Sequence, residues 1–151
     1  MAEHKATISW KFQGGDFLTG KYSREHTIAF DGGITLNASS SPSVVPAPFS
    51  NPAYADPEAC LVASLSSCHM LSFLYIVSKH GFQVGSYDDD AVGTMGKNER
   101  GAFWIKAVKL RPKVVYTGNQ PSREEQEHMH HEAHEACFIA NSVKTDVTVD
   151  F

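Results

Sequence analysis

A chain of 151 residues with a formal net charge of −4, 42% hydrophobic and 20% charged residues, has the composition of a soluble globular protein and not of a disordered or fibrous one. Its 13 Lys and Arg residues are scattered, so no basic face follows a phosphate backbone and nucleic acid is not an expected partner. The length is that of one domain, and residues 1–151 are read as one.

The opening segment MAEHKATISWKF has no basic stretch followed by an apolar core and a small-residue cleavage site, so a cytoplasmic location is expected. Within it Ile8, Trp10 and Phe12 alternate as one face of a half-buried strand. A second strand is predicted over Tyr22 to Phe30, and the DGG of Asp31 to Gly33 is a hairpin turn leading to a third strand in ITLNAS. These make an antiparallel meander. Residues Ser39 to Asp56 hold Pro42, Pro46, Pro48 and Pro52 among several serines and predict a long loop that wraps a neighbouring subunit or borders a pocket, with disorder as the alternative.

Asp56 before Pro57 starts a helix, and Lys79 and His80 before Gly81 end it. The predicted helix over Pro57 to His80 is the central element. From Ala59 to Ser78 it carries twenty residues without a formal charge, long enough for a membrane span. Ser64, Ser66, Ser67, His69 and Ser72 near its middle favour burial inside protein instead, and no membrane partner is expected. Downstream, QVGSYDDDAVGTMGK and FWIKAVKLRPKVVYTG, joined by NERG, predict two long antiparallel strands, with Asp88 to Asp90 as a solvated turn or edge. Ser122 and Glu125 fit a capping box opening a second helix in REEQEHMHHEAHEAC. Val147, Val149 and Phe151 alternate in a final strand. The order β-β-β-α-β-β-α-β is an α+β pattern.

The three cysteines, Cys60, Cys68 and Cys137, are an odd number in a reducing compartment, where a thiol is core filler, a metal ligand or a reactive group. A reactive Cys68 needs a neighbouring cation to favour its thiolate; Arg24 and Arg111 are candidates. Glu58 lies ten residues before Cys68, about 15 Å along one helix, so it reaches a Cys68 only if two helices cross antiparallel in a dimer; otherwise it faces the positive end of its own helix. A competing set is His130, His134 and Cys137, spaced on one helical face, which with Cys68 as fourth ligand would suit zinc.

DPEACLVASLSSCHML, AHEACFIANSVKTDV and YSREHTIAFDGG together resemble the OsmC/Ohr family of organic hydroperoxide reductases over about Tyr22 to Phe151. The resemblance implies an intertwined homodimer in which Cys68 is the peroxidatic thiolate, Cys137 the resolving thiol, Arg24 the thiolate-stabilising cation and Glu58 its carboxylate partner. It implies an organic hydroperoxide as substrate, a dithiol of dihydrolipoyl type as reductant, and no bound metal or other cofactor. Cys60 has no role in it and is assigned to packing. Two alternatives use the same scaffold: a non-catalytic zinc-binding dimer built on His130, His134 and Cys137, and a dimeric binder of an apolar small molecule.

Overall fold

The computed structural model describes residues 1–151, which divide into two compact units, Met1–Cys60 and Leu61–Phe151.

In the first unit, β1 (Ala6–Ser9), β2 (His26–Phe30) and β3 (Thr35–Ala38) form a three-stranded antiparallel sheet in chain order, the expected meander. The turn after β2 places Gly33 at φ 96°, where a residue without Cβ is favoured. Two strands are shorter than the alternation predicts. β1 stops at Ser9, and Ile8, Trp10 and Phe12 are exposed rather than half-buried; Trp10 lies edge-on to Tyr22, and Phe17 stacks on Tyr22 at 4.7 Å between ring centres. β2 starts only at His26 because the preceding residues satisfy one another locally: the Arg24 guanidinium donates to the carbonyls of Gly20 and Tyr22, and the Ser23 hydroxyl accepts from the Glu25 amide. The proline-rich loop is ordered by its ends. Ala38 bridges Ala55 in parallel, the Ser39 and Ala55 amides donate to the carbonyls of Ala55 and Asn37, and buried Ser39 accepts from the Asn51 amide.

Helix α1 (Pro57–Lys79) begins at Asp56, whose carboxylate accepts from the Ala59 amide at 2.8 Å, and ends one residue before the predicted stop. By length and composition it could cross a membrane, a test that the core helix of a soluble protein also passes. Its Leu65, His69, Phe73, Ile76 and Val77 are buried. In the second unit, Phe73, Ile76 and Val77 pack with Tyr116, Met129 and Ala133, and Leu65 packs with Val108 and Leu110. Helix α2 (Arg123–Ala136) opens with the predicted capping box between Ser122 and Glu125.

Each of the two long predicted strands is broken in two. β4 (Gln83–Asp89) pairs with β7 (Pro112–Thr117) in one sheet, and β5 (Val92–Lys97) pairs with β6 (Phe103–Leu110) in another. Asp89 fixes the break: its carboxylate accepts from the Arg111 amide at 2.6 Å and from the Ser66 hydroxyl at 2.5 Å, while the Arg111 side chain donates to the Asp90 carbonyl. The acidic run is therefore a structural corner tied to α1 as well as a turn. The last strand, β8 (Asp146–Val149), runs parallel to β6, an arrangement that alternation alone does not specify. Gly93 lets β5 approach the helix, since a Cβ there would lie 2.6 Å from a Val62 methyl.

Phe73 is fully buried and stacks on the ring of His130 at 4.0 Å. Replacing it with alanine removes most of that core contact, and Phe73→Ala is expected to lower the unfolding free energy by about 3–5 kcal/mol, measured by urea denaturation.

Candidate active site

Cys68 sits midway along α1, half-buried, and Cys137 caps the C-terminus of α2, where it is 1% exposed. Cys68 lies close enough to Cys137 to act on its titration. All three cysteines are free. Cys137 leaves the helix in an extended conformation (φ −70°, ψ 113°) while its amide still donates to the His134 carbonyl. Asn141 ties the exit down by donating to the carbonyls of Glu135 and Cys137. The Cys137 sulfur also accepts from the Ala140 amide at 3.4 Å. Burial, and then the neighbouring Cys68, push the Cys137 thiol up, so it holds its proton.

Of the other residues picked out in the sequence, Arg24 is held within the first unit. Its guanidinium lies 3.6 Å over the Tyr22 ring and its amide donates to the Phe49 carbonyl. Glu58, on the first turn of α1, has one carboxylate oxygen buried with no hydrogen-bond partner. The ion pairs within the chain do not include Arg24 with Glu58. Arg111 is occupied at the Asp89–Asp90 corner. Half-buried Cys60 lies one turn into α1.

The alternative zinc set of His130, His134 and Cys137 does not converge: His130 turns its Nδ1 to the Nε2 of His69 at 3.0 Å, and the Cys137 sulfur accepts from the Ala140 amide. The set of three donors that does converge is His80, His128 and Glu132, none of which the spacing argument selected; His80 and Glu132 are 52 residues apart and no local pattern joins them.

His69 is the residue that sequence reasoning missed. In the chain it is only the polar neighbour of Cys68; in the fold it is 1% exposed and its ring is parallel to that of His130, itself 2% exposed. Both are pushed down, His69 to about 4 and His130 to about 3, in each case chiefly by burial. His134 lowers His69 further and Asp89 opposes the shift; Arg123 lowers His130 further. The outer nitrogens of the pair, His69 Nδ1 and His130 Nε2, have no partner. A small cavity of about 260 Å³ is lined by His130, His134, Val147, Val149 and Phe151. Leu71, Tyr75, Ile76, Ala136 and Phe138, together with the polar Ser72, His131, Glu132 and Glu135, line a groove of about 760 Å³; Leu71 lies three residues after Cys68, and Phe138 is the residue after Cys137.

The family model described as OsmC-like protein matches residues 50–151. An OsmC-like protein of unknown function from Vibrio cholerae is 51% identical, with a TM-score of 0.96 over 99% of both chains. An organic hydroperoxide resistance protein from Elizabethkingia anophelis (21% identity, TM-score 0.72, 99% of this chain and 96% of that one) and another from Bacillus subtilis (19%, 0.70, 99% and 97%) share the fold. No curated protein matches the sequence.

Because the folded values of His69 and His130 lie below the ordinary 6.5, the unfolded chain binds more protons below that pH. The stability that the neutral pair contributes is complete above pH 6.5 and falls as the pH drops toward 4 and 3. The expected slope is up to about 1.4 kcal/mol per pH unit for each histidine. Urea unfolding between pH 7.5 and 5 checks this, and the slope should shrink in His130→Leu.

Proposed function

Since the chain belongs to the OsmC-like family, we propose that it is a thiol-dependent reductase of organic hydroperoxides, dependent on a dithiol for turnover. The observation that carries this reading is the proximity of Cys68 to Cys137, two free thiols placed by the middle of α1 and the end of α2. The asymmetry of the two supports their roles. Half-buried Cys68 is the one that a substrate can meet, and buried Cys137, which keeps its proton, is slow to react with peroxide and stays reduced for the second step.

In the proposed cycle the Cys68 thiolate attacks the terminal oxygen of ROOH. The O–O bond breaks, RO⁻ leaves and takes a proton to become the alcohol, and Cys68 becomes a sulfenic acid. The Cys137 sulfur then attacks that sulfur, water leaves, and a disulfide forms. A dithiol reduces it by two exchange steps, ending as a cyclic disulfide and returning both thiols. The apolar residues of the groove, Leu71 and Phe138 among them, support an organic rather than an inorganic peroxide.

By family likeness, Arg24 is assigned as the cation that favours the Cys68 thiolate, and Glu58 as the carboxylate that orients it, with a homodimer bringing Glu58 of one chain to Cys68 of the other. The buried, unpartnered oxygen of Glu58 supports this, because a carboxylate in that state calls for a donor from outside the chain. In this proposal α1 is a core helix of a cytoplasmic enzyme and not a membrane span; its buried His69 would be costly in lipid.

Titration of free thiols after one equivalent of cumene hydroperoxide is expected to show loss of two thiols per chain. Cys68→Ser should abolish turnover with a dithiol, and Cys137→Ala should leave Cys68 to gain two or three oxygens by mass. Full turnover in Cys68→Ser would overturn the proposal. In Cys68→Ser, where burial persists, alkylation of Cys137 should require a pH above the ordinary thiol range.

A further inference from the structure

We propose that His80, His128 and Glu132 form a binding site for a divalent transition-metal ion that takes imidazole and carboxylate ligands, of the zinc, cobalt and nickel class. The Nε2 atoms of His80 and His128 lie 2.9 and 2.7 Å from the same oxygen, Oε1 of Glu132, and the three donor atoms all fall within 4.8 Å of one another. The imidazole rings stand at 90° with centres 5.9 Å apart, so their tips meet at one point instead of spreading over both carboxylate oxygens. An ion held at about 2.0–2.2 Å from each donor needs donors roughly 3 Å apart, which small side-chain rotations supply.

The backbone that carries these groups is fixed. His128 and Glu132 are one turn apart on α2, and the His80 amide extends the hydrogen bonding of α1 by donating to the Ile76 carbonyl. Buried Ile76, Val77, Met129 and Ala133 belong to one core cluster, so the two helix surfaces hold the donors in register. Two imidazoles and one carboxylate form a donor set that zinc accepts in open sites, with the remaining positions left to water. The site uses neither cysteine, although its Glu132 also lines the groove beside Leu71 and Phe138.

The test uses the full chain without a histidine tag, its cysteines alkylated, titrated with CoCl₂ and ZnCl₂ by absorption and calorimetry. The expected result is one ion per chain in the micromolar range, with cobalt ligand-field bands and no thiolate-to-cobalt charge transfer. His128→Ala and Glu132→Gln should each weaken binding by more than the roughly 10–100-fold that loss of an outer-shell partner costs. His80→Gln gives a third variant, and circular dichroism checks that each is folded. Absence of saturable binding in the folded wild-type chain overturns the proposal, as does binding that survives all three substitutions. Binding seen only before alkylation would assign the metal to the thiols and equally overturn it.

Discussion

The approach of Cys68 to Cys137 is set by helix packing, and the rest of the site follows from it. One sulfur is placed by the middle of α1 and the other by the end of α2. Neither helix alone determines their separation; the buried cluster of Phe73, Ile76, Val77, Met129 and Ala133 does. The final placement of Cys137 comes from the way its helix stops: an extended C-cap residue, held by Asn141, turns its side chain inward while the helix backbone ends. Burial then gives this thiol its character. A sulfur kept from water retains its proton, which makes it a poor first nucleophile.

Burial also acts on a pair of imidazoles in the second unit. Two imidazoles at 1% and 2% exposure lose hydration, and both remain neutral at ordinary pH. They satisfy one nitrogen each through their mutual bond and leave one each without a partner. Stacking on Phe73 and the tilted contact with Phe151 explain how such rings are accommodated in an apolar layer. Because the pair bridges α1 and α2, the two helices that carry the thiols, protonating it at low pH strains the packing that the approach of Cys68 to Cys137 depends on.

Local signals made the helices legible. The aspartate–proline start of α1, the capping box of α2 and the glycine turns are short-range chemistry, and each is found where the sequence puts it, to within a residue for α1. The cysteines were legible as residue types, though their meeting was not, since no spacing rule joins positions on different helices. What sequence reading missed is long-range. The break of two long strands into four depends on Asp89 meeting Arg111 and Ser66, 22 and 23 residues away. The parallel pairing of β8 with β6 is likewise invisible to alternation. His130 was legible as one member of a helical face, but its partner His69 is 61 residues distant, and that bond removes it from the zinc set to which spacing assigned it.

The surface that the isolated chain leaves uncovered is the physical ground for the proposed homodimer. In the first unit Ile8, Trp10, Phe12, Phe17, Leu18, Ile34 and Leu36 are each more than a third exposed; in the second, Leu71, Tyr75 and Phe138 are between 62% and 82% exposed. Scattered apolar side chains are ordinary on a soluble protein, whereas clustered aromatic ones mark surfaces that are covered in use. Trp10, Phe12, Phe17 and Tyr22 form such a cluster, ring against ring. In the proposed homodimer a second copy would cover such area by symmetry and offer a donor to the buried oxygen of Glu58, which has none within its own chain. Two unrelated deficits, one hydrophobic and one polar, thus point to the same remedy. A small ligand could fill the groove at Leu71 and Phe138, but it would leave both the aromatic cluster of the first unit and Glu58 as they are.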